Sequence, residues 1–189
     1  MVGIGASAGG LEAISELLAE LPAKTGIAFL FVQHLNPRHQ SFLADILSRK
    51  TKIAVETAAD GTVVEPDHFY VIPPSSTLTI AGGVLRLRSR EASQRPYKPI
   101  NILFHSRAEE HGHRAAAVVL SGTGDDGAQA LEQIKAAGGI TMAQEPTSAK
   151  FDGMPKSAIA TGSVDLVLPP KELGKEMVRI ARHQYLNSS

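Results

Sequence analysis

A serine, a histidine and an aspartate each follow directly on a β-rich run in this sequence. These side-chain types are the components of a nucleophile, its base and the group that orients the base. Ser7 lies in Gly5-Ala6-Ser7-Ala8-Gly9-Gly10, after the run at residues 2–6. His34 lies in Gln33-His34-Leu35, after the apolar run 27–33. Asp125 and Asp126 lie in Ser121-Gly122-Thr123-Gly124-Asp125-Asp126-Gly127, after the run 115–120, and either carboxylate suits the third role. Small residues around Ser7 permit a sharp strand-to-helix turn. A helix starting at Gly9 would aim free backbone N–H groups at the serine, where they hold the oxyanion of a tetrahedral intermediate. The chemistry is acyl transfer, which needs no metal or organic cofactor.

Blander readings exist for the same residues. Ser7 and Asp126 are both good helix N-caps. Gly3-x-Gly5-x-x-Ala8 fits the dinucleotide fingerprint, and a nicotinamide oxidoreductase is the nearest rival. That motif wants an acidic residue ~20 positions on, at the end of the second strand. Gln33 and His34 stand there instead, with no carboxylate until Asp45. The Asp125-Asp126 pair also suits a phosphoacceptor or Mg²⁺ site. The loop 121–127 supplies no third carboxylate, so the ligand count falls short. His111-Gly112-His113, preceded by Glu109-Glu110, carries metal-ligand types, but its place at a helix end suits the dipole or solvent.

For these side chains to meet, their strands must end on one edge of one sheet. Strand-like and helical patterns alternate almost throughout. A helix with Leu11, Ile14, Leu17, Leu18 and Leu21 on one face stops at Pro22. A second carries Phe42, Leu43, Ile46 and Leu47, and residues 53–55 read as a short strand. Runs 69–72, 77–81 and 84–87 read as strands, the last two forming a hairpin through Gly82-Gly83. Polar residues 88–98 read as a mobile loop. A helix with Ile100, Leu103, Phe104 and Ala108 precedes the strand 115–120. A helix over 126–137, a strand over 140–143, a helix over 153–161, a strand over 165–168 and a helix from Pro169-Pro170 complete the chain. The pattern predicts a doubly wound, mostly parallel α/β sheet with helices on both faces, a Rossmann-like three-layer arrangement with a small β-hairpin insertion.

Composition narrows the function further. Nineteen Lys and Arg balance nineteen Asp and Glu, so no positive surplus exists to bind nucleic acid. Cysteine is absent, which excludes disulfides, thiol nucleophiles and Cys-ligated zinc and fits a reducing cytoplasm. The apolar stretch 26–32 is far below the ~20 residues of a membrane helix, and no signal-peptide pattern opens the chain. At 189 residues the length suits one domain.

Taken together, the motifs resemble the catalytic domain of the chemotaxis protein-glutamate methylesterases (CheB type). The similarity covers nearly the whole chain. Gly5–Gly10, Val32-Gln33-His34, Leu103-Phe104-His105-Ser106, the loop Gly122–Ala128 and Phe151-Asp152-Gly153-Met154-Pro155 fit the family in order. The resemblance implies Ser7 as nucleophile, His34 as general base and then acid, and Asp126 rather than Asp125 as the group orienting His34. It implies site-lining or oxyanion roles for Ala8, Gly9, Thr123 and Met154. It further implies hydrolysis of γ-glutamyl methyl esters on the cytoplasmic helices of methyl-accepting chemoreceptors, with methanol released, and deamidation of receptor glutamines. Neither a cofactor nor a metal is implied.

Two positions depart from the family, which often has Thr at Ala8 and Met at Thr123. Residues 1–189 read as one catalytic domain without the phosphoreceiver that precedes it in the stand-alone enzyme. A CheR-type methyltransferase, fused or associated, is a further expected partner.

Overall fold

The computed structural model describes residues 1–34, 42–90 and 96–183. Among these, seven strands form a wholly parallel sheet: β1 (Val2–Ala6), β2 (Phe29–Gln33), β3 (Ala54–Thr57), β4 (His68–Val71), β7 (Ala116–Val119), β8 (Ile140–Gln144) and β9 (Leu166–Leu168). Their order across the sheet is β3-β4-β2-β1-β7-β8-β9. The chain winds outward from β1 to one side and then returns to start the other side at β7. The boundary between β1 and β7 is therefore the topological switch point, where open α/β sheets bind their ligands beyond the strand carboxyl ends. The Ser7 loop and the Ser121–Gly127 loop both leave the sheet there.

The inner strands are apolar on both faces because helices cover both. On one side α1 (Gly10–Ala19) and α6 (Pro170–Arg182) lay Ile14, Leu17, Leu18, Leu173 and Met177 against Val2, Ile4, Phe29, Phe31 and Val118. On the other, α3 (Pro99–His111), α4 (Ala128–Ala136) and α5 (Gly153–Ala160) pack Ile100, Leu103, Phe104, Leu131, Ile134 and Met154 against Leu30, Val32, Ala117 and Val119. Helix α3 comes so close to β1 that a Cβ at Gly5 would lie 2.4 Å from Ile100 and one at Gly3 would lie 3.1 Å from Phe104. These two glycines thus serve helix packing. The space that a pyrophosphate would need beside Gly5 is filled by Ile100, which removes the physical basis of the dinucleotide fingerprint.

The antiparallel hairpin of β5 (Ser76–Ala81) and β6 (Val84–Ser89) turns through Gly82 and Gly83, both with positive φ, as a two-residue hairpin turn requires. It rests on α3: Ser106 Oγ accepts from Ile80 N–H, and Glu110 accepts from Gly83 N–H. Strand β6 takes in the first residues of the expected 88–98 loop. Arg90 N–H then donates to the Ser75 carbonyl, and its guanidinium lies over the Tyr97 ring at 4.3 Å. Positions 91–95 of that expected loop lie outside the described residues.

Other boundaries differ from the sequence reading. The third strand runs Ala54–Thr57 rather than 53–55. In α2 (Leu43–Ser48) only Leu43 and Leu47 of the four apolar positions are buried, while Phe42 and Ile46 are 63% and 41% exposed. Phe42 precedes the helix as its N-cap residue, and Ile46 lies at the margin of the buried face. No helix of the described residues is long and apolar enough to cross a membrane.

Candidate active site

Strand register sets the first relationship. Ala6 of β1 lies beside Gln33 of β2, so the residues that follow, Ser7 and His34, leave neighbouring strand ends together. His34 N–H donates to the Ala6 carbonyl at 3.1 Å, and Ser7 N–H donates to the Ser121 carbonyl at 3.0 Å. Ser7 and His34 are both half-buried. After Ser7 the chain turns through Gly9 in the left-handed region (φ 73°), and α1 starts at Gly10. The Ala8 and Gly9 N–H groups meet no acceptor among the described residues. Free backbone donors at a helix start favour a negative charge nearby. Ser7 Oγ itself makes no hydrogen bond among the described residues.

His34 Nε2 lies 2.7 Å from Asp126 Oδ2, and Asp126 is only 4% exposed. The carboxylate also accepts from Ile100 N–H (3.1 Å) and Asn101 N–H (2.9 Å) in the first turn of α3. Helix starts carry partial positive charge, which suits an anion there. A carboxylate only accepts, so in the neutral ring Nε2–H donates to Asp126 and the lone pair of the other nitrogen, Nδ1, is left to accept. Asp125 faces the other way. It is exposed and bound by Lys98 at 2.8 Å, whose hydrogen bond lowers its carboxyl below the usual range. The sequence left these two aspartates equivalent; the structure separates them.

Asp126 is not the N-cap of α4, which begins two residues later than the sequence pattern indicates. Gly127 carries a positive φ of 94°, and α4 is capped by Asn101, whose Oδ1 accepts from Gly127 N–H and Ala130 N–H at 3.1 Å each. The two helices thus exchange caps: Asp126 holds the start of α3, and Asn101 holds the start of α4. Neither partner could be found from sequence periodicity, because each is more than 20 residues away in the chain.

The other predicted residues sit around Ser7 at different depths. Thr123 is exposed, on the outer lip of the 121–127 loop, and Ala8 is half-buried. Met154 is completely buried, with its N–H on the Gly122 carbonyl at 2.8 Å, so it supports the loop from beneath. A Cβ at Gly122 would lie 2.2 Å from Met154 Sδ and 2.8 Å from Ser7 Cβ, which explains a glycine between them. Gln33 lies under the Ser7 carbonyl, its amide 3.4 Å away, and its buried Oε1 has no partner among the described residues. His111 does not simply face water, as expected for a helix end. Half-buried, its Nδ1 meets Arg107 Nη1 at 2.6 Å. Burial and that guanidinium lower the imidazole to about 4. A nitrogen taken by a cation is a poor metal ligand.

Comparison with known proteins bears on the family and the fold. The family model for the CheB methylesterase matches residues 2–177. A protein-glutamate methylesterase/protein-glutamine glutaminase of Bordetella parapertussis is 38% identical over 183 residues, covering 94% of this chain and 52% of the relative. A second one, of the group 3 operon of Rhizobium meliloti, is 36% identical, covering 96% of this chain and 52% of the relative. The chain thus spans about half the length of these curated relatives. The crystal structure of the Thermotoga maritima CheB methylesterase catalytic domain superposes with a TM-score of 0.86 at 27% identity, covering 95% of this chain and 97% of that one. Sequence motifs, sheet topology and comparison converge, and the chain belongs to the CheB methylesterase family.

Proposed function

We propose that this chain hydrolyses γ-glutamyl methyl esters on the cytoplasmic helices of methyl-accepting chemoreceptors, releasing methanol, and deamidates receptor glutamines by the same acyl route. The observation that carries this reading is the 2.7 Å His34–Asp126 hydrogen bond beside Ser7 at the switch point of the sheet. The names of the relatives, protein-glutamate methylesterase/protein-glutamine glutaminase, support the substrate class.

In the proposed mechanism Ser7 Oγ attacks the ester carbonyl carbon while its proton passes to His34 Nδ1. Asp126 holds the imidazole in that tautomer and stabilises the imidazolium. The oxyanion settles between the Ala8 and Gly9 N–H groups. Collapse of the intermediate breaks the carbon–methoxy bond, and His34 returns its proton to the departing oxygen as methanol. Water then attacks the acyl-enzyme with His34 as base, giving free glutamate and restoring Ser7. With a glutamine substrate the leaving group is ammonia. Since the donors are backbone amides, Ala8 and Thr123 can differ from the family's usual residues without removing the oxyanion site.

Control of such a site belongs to the assembly around it. We expect a phosphoreceiver domain or a CheR-type methyltransferase, fused or associated, in the cytoplasm. Methanol release from methylated receptor fragments tests the reading. Ser7→Ala should lower turnover by about 10⁴–10⁶-fold, and near-normal release by that variant would refute it.

A further inference from the structure

Ser121 is a completely buried polar residue with no part in the chemistry above. It follows β7 and joins three segments. Its carbonyl accepts from Ser7 N–H (3.0 Å), and its own N–H donates to Gln144 Oε1 (2.9 Å). Its hydroxyl lies 2.8 Å from the Ala8 carbonyl and 3.3 Å from the Phe151 carbonyl, and accepts from Phe151 N–H at 3.0 Å. A hydroxyl has one proton, and the shorter contact takes it, so Oγ donates to Ala8. Gln144, 1% exposed, is fixed in turn by donation to Ser148 O and Oγ. The loop closes so tightly over the hydroxyl that a Cβ at Gly9 would sit 2.6 Å from it.

One peptide unit contains both the Ala8 carbonyl and the Gly9 N–H. That unit is planar and trans, so the two groups point in opposite directions. A carbonyl pinned on Ser121 turns the Gly9 N–H to the opposite side of the peptide unit, away from Ser121. We propose that Ser121 is a positioning residue: by holding the Ala8 carbonyl it fixes the direction of the Gly9 N–H that receives the oxyanion. Its second bond ties the same hydroxyl to Phe151, so the wall at 150–151 and the nucleophile loop are set by one side chain. The inference deepens the esterase reading and rests on Ser7 as nucleophile.

The test uses the 189-residue chain, p-nitrophenyl acetate as probe, and Ser121→Ala, Ser121→Thr and Ser7→Ala. Ser121→Ala should lower kcat about ten- to a hundredfold, less than the ~10²–10³ for outright loss of an oxyanion donor. KM should stay within about twofold, and Ser121→Thr should recover most of the rate, as a donor hydroxyl requires. Amide hydrogen exchange over residues 7–10 reads the clamp without relying on catalysis, and should accelerate in Ser121→Ala and not in Ser121→Thr. Unchanged kcat or unchanged exchange in Ser121→Ala overturns the positioning role. Wild-type turnover by Ser7→Ala would instead remove the nucleophile reading, while the exchange result still decides the clamp.

Discussion

The carboxylate of Asp126 accepts from the Ile100 and Asn101 amides and from His34 Nε2, and each bond restricts how the imidazole can stand. Asp126→Asn keeps the shape but can place an N–H where Nε2 needs an acceptor. The imidazole then takes the wrong tautomer, and kcat should fall by about 10⁴-fold while the fold persists. Steady-state kinetics beside circular dichroism checks both halves. Asn101 acts one step behind. Asn101→Ala leaves the Gly127 and Ala130 N–H groups without their acceptor, which should cost about 1–2 kcal/mol in urea denaturation and lower kcat through the loosened Asp126 turn. Ser7 and His34 were legible as candidates because their types and strand-end positions suit acyl chemistry, and Asp125 and Asp126 as a pair that only the family resemblance narrowed to Asp126. Asn101 and Ser121 were not, since what defines them is a partner 26 or 113 residues away.

At the level of elements, the doubly wound order follows from alternating strand and helix patterns, and the glycines show how closely the layers meet. Gly5→Ala would drive a methyl group into Ile100 at 2.4 Å, forcing α3 away from β1. Overpacking of that kind costs about 1–3 kcal/mol. Because α3 also carries the amides that hold Asp126, the variant should lose esterase activity out of proportion to its drop in Tm. Periodicity located the helices but misplaced the start of α4. The carboxylate expected to cap α4 is engaged by α3, and a helix cannot begin until the positive-φ turn at Gly127 is complete. It also misjudged α2, where spacing alone could not show that Phe42 and Ile46 lack a covering layer.

Across the whole molecule, the charge balance of nineteen against nineteen hides one concentrated feature. Arg107 is completely buried at the end of α3, donating to the Met1 carbonyl and lying against His111. Burial lowers its guanidinium to about 10, and Glu110 opposes that shift. Burial lowers His111 to about 4, assisted by Arg107, the amino terminus and Arg114 and opposed by Glu110. An unfolded histidine takes up its proton below pH ~6.5, whereas the folded ring refuses one until about pH 4. The unfolded chain therefore binds more protons between these values, and stability falls as pH drops through that window. The ring is partly screened, so the loss should be about 1–2 kcal/mol. Urea denaturation at pH 7 and pH 4.5 should show a smaller drop for His111→Gln than for the wild type.

In the proposed mechanism three distant segments meet at one sheet edge to make Ser7 reactive. A fluorophosphonate probe followed by peptide mass spectrometry tests it most directly. The adduct should fall on Ser7 in the wild type and slow by orders of magnitude in His34→Ala; labelling at another residue, or equal labelling of Ser7 in both proteins, would contradict it.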